Sequence, residues 1–394
     1  MKSPVWRAIA LLTLVAVVMG MASDANAARR SALAGNLFIN DADDMFAFPQ
    51  LYTQYQNMAI IDFAPSSYGD DMSGNASLIW GGEKHTIRVS TGRTDLAART
   101  AAWTWGQFDR GTAMPGGGLF TGLGDAQWFD FGWSTLLGDM PFGIGFSWLK
   151  DSNSFEATDG TTDPDESFGH YTLQVGLTPG STQLALEVGF GGGDDKAVPD
   201  DGAKFSTLNA ALTARGDLEN FAGFAWRYLV GFSYGKLSPK ADTAEDYTEM
   251  AFRGSFGPVF GTPGEWEVAG YITYDFQSYE DKGVADTEDT VKDGYSTFPG
   301  YNLAGEYYLN NWFAFRAGVQ SSFISEKMEE DFAAGTETDK ETNYYYMWTM
   351  GFGIDKDAWG LDFALQEGNV HSGYFLNGDI GGDAFAYISG WFNW

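Results

Sequence analysis

The sequence predicts an all-β protein: an antiparallel, up-and-down transmembrane β-barrel of about sixteen strands, with a range of about fourteen to eighteen. Three observations predict it. From residue 126 onward, apolar residues recur at every second position in segment after segment, which is the period of a strand with one greasy face. These segments run about 10–14 residues, longer than the strands of soluble sheets and enough for a tilted bilayer crossing. The links between them alternate short and long, as in barrels with tight turns at one membrane face and long loops at the other.

Composition narrows the class. The chain has 394 residues with no cysteine, which removes disulfides, thiolate metal sites and cysteine nucleophiles. A formal charge of −30 argues against nucleic acid as a partner. Aromatics at 16% argue against disorder. Lys2 and Arg7, the apolar run from Ala8 to about Ala22, and Ala25-Asn26-Ala27 read as a cleaved export signal over residues 1–27. The apolar run is shorter than the ~20 residues of a helical span.

The strands follow in order. Asn57–Phe63, Asn75–Trp80 and His85–Thr91 read as the first three. Residues 92–125 are ambiguous, because Ala97–Trp105 suits a short helix or a strand. Then Phe129, Phe131, Trp133, Thr135 and Leu137 alternate with Asp130, Gly132 and Ser134. The same alternation recurs around Phe146, Leu173, Val188, Phe232, Ile272, Tyr346 and Phe363, and aromatics such as Trp148, Trp226, Trp266 and Trp359 gather near stripe ends. Short links are read at 137–141, 178–181, 216–220, 257–265, 310–311 and 355–357. Long ones are read at 150–167, 191–204, 236–246, 280–298, 326–342 and 367–383.

The charges then sort by face. In this register Arg88, Arg215, Arg227, Arg253 and Arg316 point away from lipid, together with Asp130, Glu187, Glu249, Glu267, Asp275, Glu306 and Asp362. A lipid-facing arginine at the midplane costs about 2–4 kcal/mol, so this placement supports the register. These twelve residues are the candidate lumen charges. They read either as a selectivity filter or as braces for the wall or a plug. Five long loops hold 26 acidic residues against eight lysines, a solvated face that enriches cations. Within it Asp159, Asp163, Asp165 and Glu166 form a weak calcium candidate, since their spacing does not fit the twelve-residue calcium loop. No cofactor is expected. The three histidines, His85, His170 and His371, form no recognisable catalytic constellation, and enzyme activity is not expected.

The C-terminal strand, Ile388-Ser389-Gly390-Trp391-Phe392-Asn393-Trp394, resembles the assembly signal of Gram-negative outer-membrane barrels. The strand ladder as a whole resembles that class over most of the chain. The likeness implies an outer-membrane location, contact with membrane lipid and lipopolysaccharide, recognition of the end at Trp394 by the barrel-assembly machinery, and an optional homo-oligomer. Phe38-Ile39-Asn40-Asp41-Ala42-Asp43-Asp44 followed by Phe48-Pro49 resembles the N-terminal segment of the long-chain fatty-acid transporter superfamily, which has Asn where this chain has Phe48. In that family the segment folds inside the barrel, so residues 28–56 are expected as a periplasmic segment or a hatch, with the barrel at 57–394. The expected function is passive diffusion of small hydrophilic solutes. The alternatives are a hatch-gated transporter of a hydrophobic ligand and a surface scaffold with a closed lumen.

Overall fold

A computed structural model describes residues 28–42, 44–65, 72–82, 84–94, 126–154, 165–195, 204–221, 224–240, 246–281, 290–332, 335–356, 358–366 and 387–394. Sixteen antiparallel strands close into one barrel. They are β1 (Met58–Pro65), β2 (Met72–Gly81), β3 (His85–Thr94), β4 (Ala126–Leu137), β5 (Met140–Ser154), β6 (Asp165–Leu177), β7 (Thr182–Asp195) and β8 (Lys204–Phe221). The second half is β9 (Phe224–Pro239), β10 (Tyr247–Thr262), β11 (Trp266–Asp281), β12 (Thr290–Asn310), β13 (Phe313–Phe332), β14 (Gly335–Lys356), β15 (Trp359–Gln366) and β16 (Tyr387–Asn393). Each strand pairs with its sequence neighbours, and β1 pairs with β16 to close the ring. Closure leaves no edge with unpaired backbone groups, which is what lets strands sit in hydrocarbon.

Strand β3 pairs directly with β4, so no further strand stands between them in the wall and the count is sixteen. Residues 97–105 themselves lie outside the described residues.

The side-chain faces follow the alternation. Phe131, Leu173, Leu186, Phe190, Leu212, Phe232, Ile272 and Phe315 are exposed apolar residues spread around the outside of the ring. A belt of this size has no protein layer over it, and its natural solvent is lipid. Aromatic pairs knit it across strands, as in Tyr171 with Phe190 and Phe352 with Phe363. The inward positions are polar: Asp130, Ser147, Thr172, Gln174, Arg253, Thr349 and Asp362 are all buried.

Thr135 and several strand ends differ from the sequence reading. Thr135, expected on the lipid face, is buried: it pairs with His85 at the start of β3, where its hydroxyl donates to the Lys84 carbonyl at 2.7 Å. The links expected at 216–220 and 257–265 are tighter, since β8 runs to Phe221 and β10 to Thr262. The expected loop 326–342 is mostly strand. β12, β13 and β14 have 21, 20 and 22 residues, about twice what a bilayer crossing needs. Residues 336–342 are exposed at every successive position, so both faces of this extension meet water. The backbone of this acidic stretch satisfies its hydrogen bonds by continuing the ladder beyond the membrane.

Candidate functional site

The site is the lumen, and its contents come from the chain's own N-terminal segment. Residues 28–57 form α1 (Ala28–Ala32), α2 (Asp44–Ala47) and a 3-10 helix (Pro49–Gln54) before β1 begins. Helix α1 packs on β13, β14, β15 and β16, whereas the 3-10 helix packs on β3, β4, β5 and β6. Between them Phe38 and Leu33 sit against Leu229, Ala269 and Ala304 of β9, β11 and β12. A segment that touches strands on all sides of a ring lies within the ring. The contacted wall residues stand close to the short turns, so the segment fills that end of the lumen.

Local sequence explains the path. After α1, Ala34 and Gly35 take left-handed backbone angles (φ 50° and 68°), which ends the helix. The Asn36 side chain then accepts from the backbone amides of Phe38 and Ile39 at 2.9 and 3.0 Å, and it donates to Asn302 at 2.6 Å. Asp44 does the same for the Asp41 amide at 3.1 Å. Pro49 starts the 3-10 helix, where its missing N–H costs nothing.

Apolar seats receive this segment. Met45, Phe48, Leu51 and Tyr52 pack on Ile60, Ile79 and Ala185. Gly143 is required there: a Cβ on it would lie 2.3 Å from the Pro49 carbonyl carbon and 2.4 Å from the Gln50 nitrogen. The Gln50 side chain donates to the carbonyls of Leu177 and Leu184 at 3.1 and 3.2 Å.

The ionic contacts around the segment fall into four groups. Arg30 and Arg215 both hold Asp44, at 2.5 and 2.8 Å. Arg215 also donates to the Leu37 carbonyl at 3.1 Å and to Gln183 at 2.9 Å. Arg29 grips Glu306 with two bonds of 3.0 Å and reaches Asp41 at 3.3 Å, while Arg316 bridges Glu306 and Asp362 at 2.5 Å each. Arg88 pairs with Asp130 at 2.7 Å and lies 4.0 Å over the Phe46 ring. Arg227 pairs with Asp217 at 2.5 Å and donates to the Phe38 carbonyl. Planar, two-pronged guanidinium contacts of this kind hold geometry better than ammonium contacts do. Burial by itself would raise the Asp44 carboxyl, yet Arg215 and Arg30 hold it down to about 2.

The twelve expected lumen charges all sit on inward positions, but they do not form one filter. Arg88, Arg215, Arg227 and Glu306 contact the N-terminal segment directly, and Asp130, Arg316 and Asp362 back them. Glu267 lies beside Glu306 in register. Glu187 belongs to a chain of bonds with Gln174, Asn209 and His170, at 2.8, 3.0 and 2.8 Å. Nearer the loops, Glu249 accepts from Gln277 at 2.5 Å, and Arg253 pairs with Asp275 at 2.7 Å. That last pair lines a small, partly open cavity whose floor is Gly35 and Leu37 of the segment and whose walls include Tyr271 and Gln320. Asp159 and Asp163 lie outside the described residues. Asp165 and Glu166 stand on β6, and among the described residues no group of three potential metal ligands forms.

Sequence reasoning missed the inward apolar seats Ile60, Ile79 and Leu229, and the docking residues Arg29, Arg30, Asp41 and Asp44. The seats leave a trace, because alternation doubles at Ile60-Ile61, Ile79-Trp80 and Leu229-Val230. The docking residues leave none, since nothing local says which wall they meet.

A closed barrel with a lipid-facing belt defines the class: this is a transmembrane β-barrel of the outer-membrane type. No family model and no curated protein matches the chain. Solved structures that resemble it are outer-membrane β-barrels. The CymD monoaromatic hydrocarbon channel shares 12% identity over 93% of this chain and 97% of its own, with a TM-score of 0.42. The FrpB iron transporter from Neisseria meningitidis shares 9% over 83% and 63%, with a TM-score of 0.41. CdiB from Escherichia coli shares 12% over 86% and 62%, with a TM-score of 0.45. The chain spans less than two thirds of the length of FrpB (63%) and of CdiB (62%).

Proposed function

We propose that the protein is an outer-membrane transport barrel for small hydrophilic solutes, gated by its own N-terminal segment. The observation that carries this reading is the segment at 28–57, bound across the short-turn end of the lumen through Asp44, Arg29 and the carbonyls of Leu37 and Phe38. Polar and charged inward residues favour hydrated solutes over an apolar ligand. The cavity over the segment, with Arg253 and Asp275 in its wall, sets an ion pair on the path of a solute entering from the loops. Passage then requires the segment to shift.

The test uses the absence of native cysteine. Ala32 and Ala364 pack together on the segment and the wall. The double variant Ala32→Cys with Ala364→Cys locks the two when oxidised. In planar bilayers the oxidised form should conduct less than the reduced form. Equal conductance in both states would mean that solutes pass around a stationary segment, which is the behaviour of a passive porin.

A further inference from the structure

The wall beside α1 brings three side chains into one row. Register places Ser389 of β16 between Asp62 of β1 and Asp362 of β15, and all three are buried. The backbone nitrogen of Ala28 donates to the Ser389 hydroxyl at 2.5 Å. Ala28 also packs with Ala32 and Ala364, so this contact is part of the seat of α1. The export signal read from the sequence ends at Ala27.

We propose that leader removal creates the group this row is built to receive: the α-ammonium of Ala28, bonded to Ser389 and flanked by the carboxylates of Asp62 and Asp362. Hydrolysis of the Ala27–Ala28 amide by a signal peptidase adds water's hydroxyl to the Ala27 carbonyl and a hydrogen to the Ala28 nitrogen. The resulting amine takes a further proton from solvent at neutral pH, its ordinary pKa being about 8. Before cleavage the position offers one neutral N–H; afterwards it offers three donors and a positive charge. Three donors match one hydroxyl and two carboxylates. The electrostatics agree: Asp41, Asp62, Glu306 and Asp362 stand in this part of the lumen with Arg29 and Arg316. An added cation reduces that acidic excess. Seating of the N-terminal segment is thereby tied to processing, and the precursor carries a weaker latch.

This inference rests on the Ala27–Ala28 junction and not on gated transport, so the two fail separately. Intact mass of protein purified from membranes gives the first residue, and any start other than Ala28 overturns the proposal. The mature chain is then acetylated in denaturant at about pH 6.5, where the α-amine reacts ahead of lysine, and refolded into lipid beside unmodified chain. Acetylation keeps one N–H for Ser389, removes the charge and two donors, and leaves an amide carbonyl where that of Ala27 stood before cleavage. Hydrogen exchange over residues 29–36 should be about tenfold slower in the free-amine form, because charge-assisted bonds are about twice as strong as neutral ones. Equal protection in the two forms overturns the proposal. Asp62→Asn in the free-amine form should lose the same protection; full retention also overturns it. The acetylation comparison needs no wall substitution, so it stands even where that variant does not fold.

Discussion

Asp44→Asn is the most informative single change in the lumen. The carboxylate is 5% exposed and holds Arg30 at 2.5 Å and Arg215 at 2.8 Å. An amide keeps the shape and the bond to the Asp41 amide, but it leaves two guanidiniums in a buried place without their counter-charge. Removing one partner from a buried ionic group costs about 3–5 kcal/mol, and here the cost falls on docking of the segment, since the barrel wall does not depend on Asp44. Protonation is the reversible version of the same change. The docked carboxyl sits at about 2 against an ordinary 3.8. A lowered pKa contributes stability that is present above the ordinary value and is lost as pH falls through the docked one. At 1.36 kcal/mol per unit, this is worth about 2 kcal/mol. Single-channel recording in planar bilayers should therefore show more frequent opening in Asp44→Asn at neutral pH, and in the unaltered chain between about pH 4 and 2. Limited proteolysis should cut the segment faster under the same conditions while the barrel stays intact. Unchanged gating and unchanged cleavage in Asp44→Asn would refute the claim that this cluster holds the segment.

Other expectations follow from the same geometry. Gly143→Ala places a methyl against the Pro49–Gln50 backbone, so it should loosen the segment in the proteolysis assay while the barrel still folds. Leu212→Arg puts a charge on the 53%-exposed lipid face and should destabilise the barrel by about 2–4 kcal/mol in denaturant titrations in vesicles. Arg253→Gln removes the cation from the cavity wall but keeps a donor; reversal potentials in a salt gradient should move toward cation selectivity, and no movement would place Arg253 off the solute path. Arg316→Met strips Glu306 and Asp362 of a shared partner, and loss of unfolding stability of about 3–5 kcal/mol should appear in the same titrations.

Much of the wall is legible along the chain. Strand period is local: Phe131 and Leu186 face out and Asp130 and Glu187 face in because successive side chains must take opposite sides. The inward set of arginines is legible for the same reason, since hydrocarbon penalises a charge wherever the chain folds. Where the reading slipped, the cause was also local. The acidic run at 326–342 looks like a loop by charge, but β13 and β14 continue there as a ladder in water, and composition does not distinguish a solvated hairpin from a solvated loop.

The pairing of those charges is a different matter. Arg316 with Glu306 and Asp362 joins β13 to β12 and, across β14, to β15, and Asp44 meets Arg215 across 171 positions of chain (215 − 44). Alternation assigns a side chain to a face, and a face is common to every strand of the ring. Which residues meet across the lumen depends on ring closure, strand stagger and the route of the segment inside, and these are set only when all sixteen strands are paired. The bilayer dictated the outside one residue at a time; the inside was decided by the closed ring.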